Sequence, residues 1–535
     1  MPLNVLMWIM AALPIIVLLV LMVGLQWGAT KAAPIGLAIA IFTGLVFYKA
    51  DLGLIGFEAL KGLWSAFVVL IVVWPAILLY EVVTQAKAFV VFRKGLQKIT
   101  PNELIQVIAL GWVFISFLQG ITGFGVPVAV GAALLVGIKV KPVWAVVISL
   151  IGHAWANTFG TLAVAWDALD IQTSLASDPE LYFRTAFWAA LFIWIWNFIA
   201  GLSIAWIYGG KEALKKGLPA IVLISLIHGG GQLFLSQINP TLAAFIPASV
   251  ALVVVFALSK TKRFGHVWKL ENSKIMNREA TEDLDEANTP TNMSVHQSFF
   301  PYYVLTAITL VILVIPPIKN FFSQVQVGFS FPETTTGYGF VNSAVENFSG
   351  FSPFTHAGIF LIVSSIIGFL YYLKNGWVKR KDAKIIMTRS FNKTVPSAVA
   401  VIGFILMSRM MSGTGQTVIL AEGIAETFGM YYSMLAPVVG MLGSFMTSSN
   451  MASNILFGEF QLTTAGILDL NKAAILGAQT AGGTMGNTLS PGNIILGTTT
   501  AGIIGKEGII LKKVLPVSLV TALIVGAILF VITIF

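Results

Sequence analysis

The sequence predicts an all-α polytopic membrane protein, both from its composition and from its hydrophobic runs. Of the 535 residues, 57% are hydrophobic and only 10% are charged, and the mean hydropathy is +0.87. Soluble chains carry about a quarter charged residues. Apolar runs of about 18 to 25 residues recur along the chain, and each is long enough to cross a hydrocarbon layer of about 30 Å. The runs are continuous rather than alternating, so helices are favoured over a closed barrel.

We expect about 11 to 14 transmembrane helices, in two membrane halves at residues 1–258 and 298–535. The polar segment 259–297 joins the halves, and we interpret it as a solvated cytoplasmic loop. The first hydrophobic run follows no Lys or Arg and shows no cleavage signature of small residues. A signal peptide has both features, so we interpret this run as a span.

The basic residues predict the orientation of the chain. They occur in alternate loops, and the loops between them are acidic or neutral. The basic groups are Lys31, Arg93 to Lys98, Lys211 to Lys216, 259–297, 374–393 and Lys506 to Lys513. Cytoplasmic loops collect Lys and Arg, so we expect an inner-membrane protein with both termini outside. Topology then explains the net charge of +9, and no nucleic-acid partner is expected.

Polar turns, three of which contain glycine, occur as two matched pairs. The first pair covers residues 119–127 and 153–162, and the second covers 447–454 and 479–491. Thr122 and Thr447 are 325 residues apart, and Thr158 and Thr484 are 326 apart. The flanking charges predict opposite topology for the two units, at about 98–170 and about 423–506. Inverted repeats of this kind carry broken or re-entrant helices, and the substrate site lies between them.

The residue types in these turns suit a small anion. Glycine lets the backbone leave helical geometry, and a broken helix exposes N–H groups at its N-terminus, where the dipole favours negative charge. Ser, Thr and Asn add donors without placing a charge in lipid. The alternative is that small and hydroxylated residues only allow close helix packing. The candidate binding residues are Gln119, Thr122, Gly123, Phe124, Gly125, Asn157, Thr158, Ser448, Ser449, Asn450, Asn487 and Ser490.

Three ionisable residues in apolar surroundings are further candidates. Arg409 follows the basic segment by about sixteen residues, or about 24 Å of helix, and its fork geometry suits a carboxylate. It either binds the substrate or snorkels outward and pairs with Glu422. Histidine side chains can carry a proton near neutral pH, so His153 is a candidate for coupling, unless it is a neutral, hydrogen-bonded residue of the bundle. Asp167 is the second coupling candidate, with a place near the outer surface as the alternative.

The polar turns and their neighbours resemble the lactate permease family. The matching segments are Phe117-Leu-Gln-Gly-Ile-Thr-Gly-Phe-Gly-Val-Pro-Val128, Ala132-Ala-Leu-Leu-Val-Gly137, Lys141-Pro142, Ser453-Asn-Ile-Leu-Phe457, Thr480-Ala-Gly-Gly483, Ser490-Pro491 and Gly502-Ile-Ile-Gly-Lys-Glu507. The resemblance implies an inner-membrane symporter that imports small 2-hydroxy-monocarboxylates by alternating access. L-lactate is the expected substrate, with D-lactate and glycolate as alternatives, and H⁺ is the expected coupling ion.

Two departures from the family pattern concern the coupling ion. The family usually has Glu at the position of Gln119 and Asp at the position of Asn450. Without these acids, the usual proton route is open to question. Na⁺ coupling through hydroxyl and carbonyl oxygens, which suit a hard cation, is the alternative, together with transport of another small organic anion. A dicarboxylate would need a second cationic residue beside Arg409, so a monovalent substrate is favoured.

The remaining classes are disfavoured. A membrane-embedded enzyme would need a catalytic constellation, and the chain shows no His-Glu-x-x-His motif, Ser/Lys dyad or cluster of acids. It contains no cysteine and five scattered histidines, so neither disulfides nor a metal site are expected. A channel is less consistent with the inverted repeat. We expect no cofactor beyond the coupling ion and no partner beyond the anion and the bilayer, with monomer and homodimer both left open.

Overall fold

The computed structural model describes residues 4–278 and 292–534. Within these residues, ten helical segments are long and apolar enough to cross a membrane, or up to twelve if each of two bent helix pairs is one span. The predicted all-α membrane fold is therefore confirmed. The first hydrophobic run, Val5–Gly24, is one of the ten segments.

Helices α1 to α12 precede the linker. Their bounds are α1 Val5–Leu19, α2 Ala29–Val46, α3 Leu52–Gln85, α4 Ala88–Ile99, α5 Glu103–Ile108, α6 Ile115–Ile121, α7 Val126–Gly137, α8 Pro142–His153, α9 Gly160–Thr173, α10 Pro179–Ser225, α11 Gly231–Ser236 and α12 Phe245–Leu258. The π-helical residues Ala109–Phe114 join α5 to α6, so the two form one span. Local signals begin several helices: Asp51 caps α3 with its side chain, and Pro142 occupies the first turn of α8.

Helix α10 is a hairpin rather than one straight helix. Its backbone is non-helical at Gly209 and Gly210. On either side of this break, Gly201 packs against Ile221 and Gly217 approaches Ala205. The segment from Pro179 to Ser236 therefore crosses the bundle twice, in line with the predicted eleven to fourteen helices.

Residues 259–278 are mostly exposed, as expected of a solvated loop, although a few of them pack against helix ends. The N–H of Glu103 donates to the carbonyl of Trp268 at 3.0 Å, and the N–H of Lys141 donates to Ile275 at 2.7 Å. Ile275 is fully buried, because the apolar residues of this segment cover the α7–α8 turn. Arg278 pairs with both carboxylate oxygens of Glu103, at 2.6 and 2.9 Å. The acidic residues at 279, 282, 283, 285 and 286 lie outside the described residues.

Eleven helices and four short strands follow within the described part of the second half. Their bounds are α13 Val295–Ser298, α14 Phe300–Val314, α15 Pro316–Phe322, β1 Val327–Phe331, β2 Thr334–Thr335, β3 Val341–Asn342, β4 Val345–Phe351, α16 Ala357–Lys374, α17 Asp382–Gly413, α18 Gln416–Phe428, α19 Tyr432–Thr447, α20 Asn450–Ile467, α21 Lys472–Asn487, α22 Pro491–Thr500 and α23 Glu507–Ile534. Strand β1 pairs antiparallel with β4, and β2 pairs antiparallel with β3.

The linker and the strands lie on opposite faces of the bundle, which we call the linker face and the strand face. The N–H of Gly337, between β2 and β3, donates to the carbonyl of Lys49 at 2.8 Å. The neighbouring Tyr48 hydroxyl donates to Met7 near the start of α1 at 2.7 Å. Near the other end of the chain, Phe530 stacks on Tyr431. The start of the described chain therefore lies on the strand face, and its end lies beside the start of α19.

Two sets of helices repeat one order in opposite directions. In α5–α9 and in α19–α22, a helix leads to a break, a helical hairpin, a second break and a last helix. The tip of the first hairpin, 138–141, contacts the linker. The second hairpin points the other way, because α20 runs parallel to α9 with Gly458 against Leu169. This order and direction match the predicted inverted arrangement, while the predicted boundaries of the halves remain predictions.

Small residues allow α19 and α21 to pack at close range. A Cβ on Gly440 would lie 2.0 Å from the Gln479 carbonyl oxygen, and one on Gly482 would lie 1.9 Å from that of Pro437. Only glycine fits such an approach. The glycines of α21 therefore serve packing, as the alternative interpretation of these residues predicted.

Candidate functional site

The two breaks of the first unit are left-handed turns that touch each other. Gly123, Phe124 and Gly125 have φ of +58°, +48° and +78°, and residues 161–163 have φ of +51°, +54° and +71°. A left-handed non-glycine residue costs about 1–2 kcal/mol, so packing must hold these turns in place. A Cβ on Gly123 would lie 2.1 Å from the Thr161 hydroxyl oxygen, so only glycine fits where the turns meet.

The second unit has simpler breaks, one at Ser448 and Ser449 and one at Ser490. Ser448 is left-handed, with φ of +58°. Ser449 then caps α20, and its hydroxyl accepts from the N–H of Ala452 at 3.2 Å. Ser490 has an extended backbone and precedes Pro491, which begins α22. The predicted polar turns are thus the points where the helices begin again.

The N-termini of α7, α20 and α22 meet at these breaks. The hydroxyl of Ser448, just before α20, accepts from the N–H of Gly492 in the first turn of α22 at 3.1 Å. Gly125, just before α7, lies against Asn493 of α22. Gly125 and Ser490, the residues just before α7 and α22, form no capping bond with their own side chains. Each N-terminus carries a partial positive charge, so their meeting point favours an anion.

Asn487 connects the polar side chains around this point. Its amide nitrogen donates to the Ser448 carbonyl at 3.2 Å, and its Oδ1 accepts from Asn493 at 2.8 Å. The same Oδ1 lies 3.2 Å from Nε2 of His153, whose Nδ1 lies 2.9 Å from the Ser149 carbonyl. Both ring nitrogens therefore face oxygens. If Nδ1 carries the proton and donates to Ser149, the contact between Nε2 and Asn487 is a hydrogen bond only when the imidazole is doubly protonated or when the Asn487 amide is turned round.

A second group of polar side chains lies one to two turns before Asn487, towards the N-terminus of α21. The Asn450 amide nitrogen lies 3.0, 3.4 and 3.3 Å from the hydroxyls of Thr158, Thr480 and Thr484. The Thr158 hydroxyl is 3.0 Å from that of Thr480 and 3.2 Å from that of Thr484. Thr158 belongs to the first unit and the other residues to the second. We call these residues, with Asn454, the hydroxyl–amide cluster.

Most of the predicted binding residues lie at or beside the breaks. Some of them, however, are already engaged in hydrogen bonds or packing contacts elsewhere. The Thr122 hydroxyl donates to Leu118 of its own helix at 2.9 Å, so it is engaged locally. Gln119 is buried and packs its backbone against Gly160. Asn157 is buried, and its amide nitrogen has no hydrogen-bond partner among the described atoms.

Arg409 lies apart from the polar side chains at the breaks, and Asp167 lies further along α9. Arg409 donates to the Ile171 carbonyl at 2.7 Å and lies 4.8 Å from the centre of the Phe348 ring in β4. Ile171 is about ten residues, or about 15 Å, along α9 from the break. Asp167 lies on the same helix, beside Asp170. Arg409 lies far along α17 from the basic segment, as the sequence distance predicted. Its neighbours there are the strands.

Sequence reasoning did not select Asn454, Thr480 and Asn493. Asn454 is four residues after Asn450, and Thr480 is four residues before Thr484. Residues at this spacing share one face of a helix, so helical periodicity is the signal that could have identified Asn454 and Thr480. Asn493 carries no comparable signal, because it lies in a different helix from the side chain that it contacts.

Comparisons with known proteins identify the family. A model of the L-lactate permease family matches residues 7–535. The L-lactate permease of Halalkalibacterium halodurans is 26% identical over 95% of this chain and 93% of its own length. The L-lactate permease and the glycolate permease GlcA of Escherichia coli K12 are 26% and 25% identical, each over 97% of this chain and 94% of their own length.

One solved structure is also similar, the YdaH transporter of Alcanivorax borkumensis. It is 12% identical, with a TM-score of 0.41 over 89% of this chain and 85% of that one. The curated relatives are permeases, and the family model covers nearly the whole sequence. The chain belongs to the L-lactate permease family and is a multi-pass membrane transport protein.

Proposed function

We propose that the chain imports small 2-hydroxy-monocarboxylates, L-lactate above all, with D-lactate and glycolate as alternatives, in symport with a cation. The observation that carries this proposal is the meeting of three helix N-termini at Ser448, Gly125 and Ser490. The names of the relatives, L-lactate permease and glycolate permease, support the substrate class.

The substrate carboxylate takes the position between these N-termini. Backbone N–H groups bind a carboxylate there without a buried cationic side chain. The 2-hydroxyl group needs a partner that both donates and accepts, and Asn487 and His153 lie beside the same point. Among the described residues, Lys and Arg form none of the hydrogen bonds that hold Asn487 and Ser448. A site that binds through helix N-termini, without Lys or Arg, suits a substrate with a single negative charge.

Alternating access follows from the two units of opposite direction. Thr158 of the first unit contacts Thr484 of the second, so the central polar residues lie at the boundary of the units. Movement of one unit against the other exposes such a boundary first to one face and then to the other. The linker holds the tip of one hairpin through Lys141 and Ile275.

Two cations are candidates for coupling. A proton would be carried by His153, which lies beside the proposed carboxylate position, with Asp167 as the second titratable residue. Na⁺ is favoured by the oxygen atoms of the hydroxyl–amide cluster.

The orientation is proposed from the basic residues. Lys506, Lys512 and Lys513 lie at the start of α23, and the linker contains Lys260, Lys262 and Arg263. Cytoplasmic loops collect such residues. We therefore assign the linker face to the cytoplasm and both termini to the outside of the inner membrane.

Uptake of labelled L-lactate into proteoliposomes tests the proposal, with an inward H⁺ gradient and an inward Na⁺ gradient imposed separately. Accumulation above equilibrium under one gradient, with competition by glycolate, is the expected result. Absence of accumulation under either gradient, in vesicles that contain folded protein, would contradict the proposal.

A further inference from the structure

We propose that the hydroxyl–amide cluster is a Na⁺ site, formed by Thr158, Asn450, Asn454, Thr480 and Thr484. The site deepens the proposed function, because it names the coupling ion. Coupling rests on that function, whereas binding of the ion does not.

Two buried oxygen atoms without donors are the first observation. The Oδ1 atoms of Asn450 and Asn454 are buried and have no hydrogen-bond partner among the described atoms. The residues are four apart on α20, so they share one face. Both amide nitrogens lie within reach of the Thr480 hydroxyl, at 3.4 and 2.9 Å. The side chains that carry the two unpaired oxygens therefore meet in one cluster, and neither oxygen has a donor.

The spacing of the hydroxyl oxygens fits a single coordination shell. The Thr158 oxygen lies 3.0 Å from that of Thr480 and 3.2 Å from that of Thr484. Ca²⁺, which is close to Na⁺ in size, holds oxygens at about 2.3–2.6 Å, so adjacent ligands are about 3 Å apart. The Asn450 amide nitrogen occupies the space among the three hydroxyls. Half a turn of this amide places its unpaired oxygen there.

The charge of the cluster selects a monovalent ion. Its side chains are amides and hydroxyls, and among the described residues no carboxylate forms a hydrogen bond with them. A divalent ion is held by carboxylates as well as neutral oxygens. Among hard monovalent ions with neutral oxygen ligands, Na⁺ is the one whose size suits the spacing of these hydroxyls. The Thr480 carbonyl of α21 lies 3.4 Å from the Thr158 hydroxyl and is a further neutral oxygen at the cluster.

The position of the cluster explains how the ion would be coupled to the anion. Thr484 and Asn487 are three residues apart on α21, or about 4.5 Å along the helix. The ion and the substrate carboxylate therefore neutralise each other within one turn. The ion also joins Thr158 of one unit to residues of the other, so its release accompanies separation of the units.

The test is thermal unfolding of the purified full-length protein in detergent, without substrate, in NaCl, KCl or choline chloride at constant ionic strength. We expect a saturable rise in Tm with Na⁺ alone. Thr484→Val removes one ligand, and we expect it to raise the half-saturating Na⁺ concentration at least tenfold. Thr484→Ser, which keeps the hydroxyl, should respond as the unmodified protein does.

Thr521→Val is the matched control, because Thr521 is a buried threonine whose hydroxyl bonds to Val517 of its own helix. It should keep the full response to Na⁺. Equal Tm in the three salts, or a Thr484→Val variant with an unchanged Na⁺ response, would overturn the site.

Uptake separates this proposal from the proposed function. Lactate uptake that a proton gradient drives fully in the absence of Na⁺ would overturn Na⁺ coupling and leave the lactate permease function standing. A Na⁺-dependent Tm without lactate uptake under any gradient would support the ion site and contradict the substrate.

Discussion

His153 and Asn487 end two helices of opposite units, and their side chains meet at 3.2 Å between Nε2 and Oδ1. His153 is the last residue of α8, and Asn487 is the last residue of α21. The two half-helices therefore stop at the same place in the bundle. The polar region of the protein is built around this place, where Ser448 and Gly492 also contact each other.

Asn487→Ala should weaken lactate transport strongly. The amide holds the Ser448 carbonyl, Asn493 and His153 in place, and a buried polar group left without its partner costs about 1–3 kcal/mol. We expect KM for lactate to rise about 5- to 150-fold. Asn471→Ala is the control on the same helix, because Asn471 only caps α21 at the exposed hairpin tip. An unchanged KM in Asn487→Ala would remove Asn487 from the site.

His153→Gln distinguishes a hydrogen-bonding role from a proton-carrying role. Glutamine keeps a polar group near Ser149 and Asn487 but does not titrate. If Na⁺ is the coupling ion, Na⁺-driven uptake by this variant should stay within about threefold of the unmodified protein. Initial uptake rates at several pH values provide the measurement. Complete loss of gradient-driven accumulation, with lactate binding retained, would assign coupling to His153.

Gly123→Ala should disrupt the contact between the two left-handed turns. The added Cβ meets the Thr161 hydroxyl, so overpacking of about 1–3 kcal/mol adds to about 1–2 kcal/mol for the left-handed alanine. We expect a lower Tm and loss of transport. Gly502→Ala has the same backbone requirement, with φ of +70°, but nothing within 4 Å of its added Cβ. It should lower Tm less and keep transport, and equal effects of the two variants would contradict the crowding argument.

Arg409→Gln should affect stability rather than substrate affinity. Arg409 bonds to the Ile171 carbonyl and lies over Phe348, so its loss should lower the free energy of unfolding by about 1–3 kcal/mol. KM for lactate should stay within about twofold, because the residue lies about 15 Å from the helix breaks. Denaturation and uptake kinetics on the same preparation test both statements. A large rise in KM with unchanged stability would return Arg409 to the binding site.

The sequence predicted the membrane fold and the positions of the helix breaks well. Hydropathy identifies spans without knowledge of their neighbours, and Thr158 and Thr484, matched by their spacing of 326 residues, are in direct contact at 3.2 Å. Ser449 and Ser490 begin helices as the turn residues predicted. Local chemistry decides the spans and the helix starts at Ser449 and Ser490.

Which helices and side chains lie next to each other was not predictable in the same way. The distance from the basic segment gave the depth of Arg409 but not its neighbours, because depth depends on one helix and neighbours depend on several. The left-handed residues 161–163 follow Gly160 but contain no glycine, so Thr161, Leu162 and Ala163 adopt this conformation through tertiary packing. The charges of the linker predicted its exposure but not the burial of Phe264, Ile275 and Met276 against the helix ends.

Protection of a single cysteine by substrate tests the central claim most directly, that the anion binds where α7, α20 and α22 begin. The chain has no cysteine, so Ser449→Cys, at the half-buried start of α20, and Thr500→Cys, at the exposed end of α22, each give one labelling site. L-lactate should slow maleimide labelling of Ser449→Cys in a saturable way and leave Thr500→Cys unchanged. Equal labelling of Ser449→Cys with and without lactate, in a variant that still transports lactate, would contradict the account.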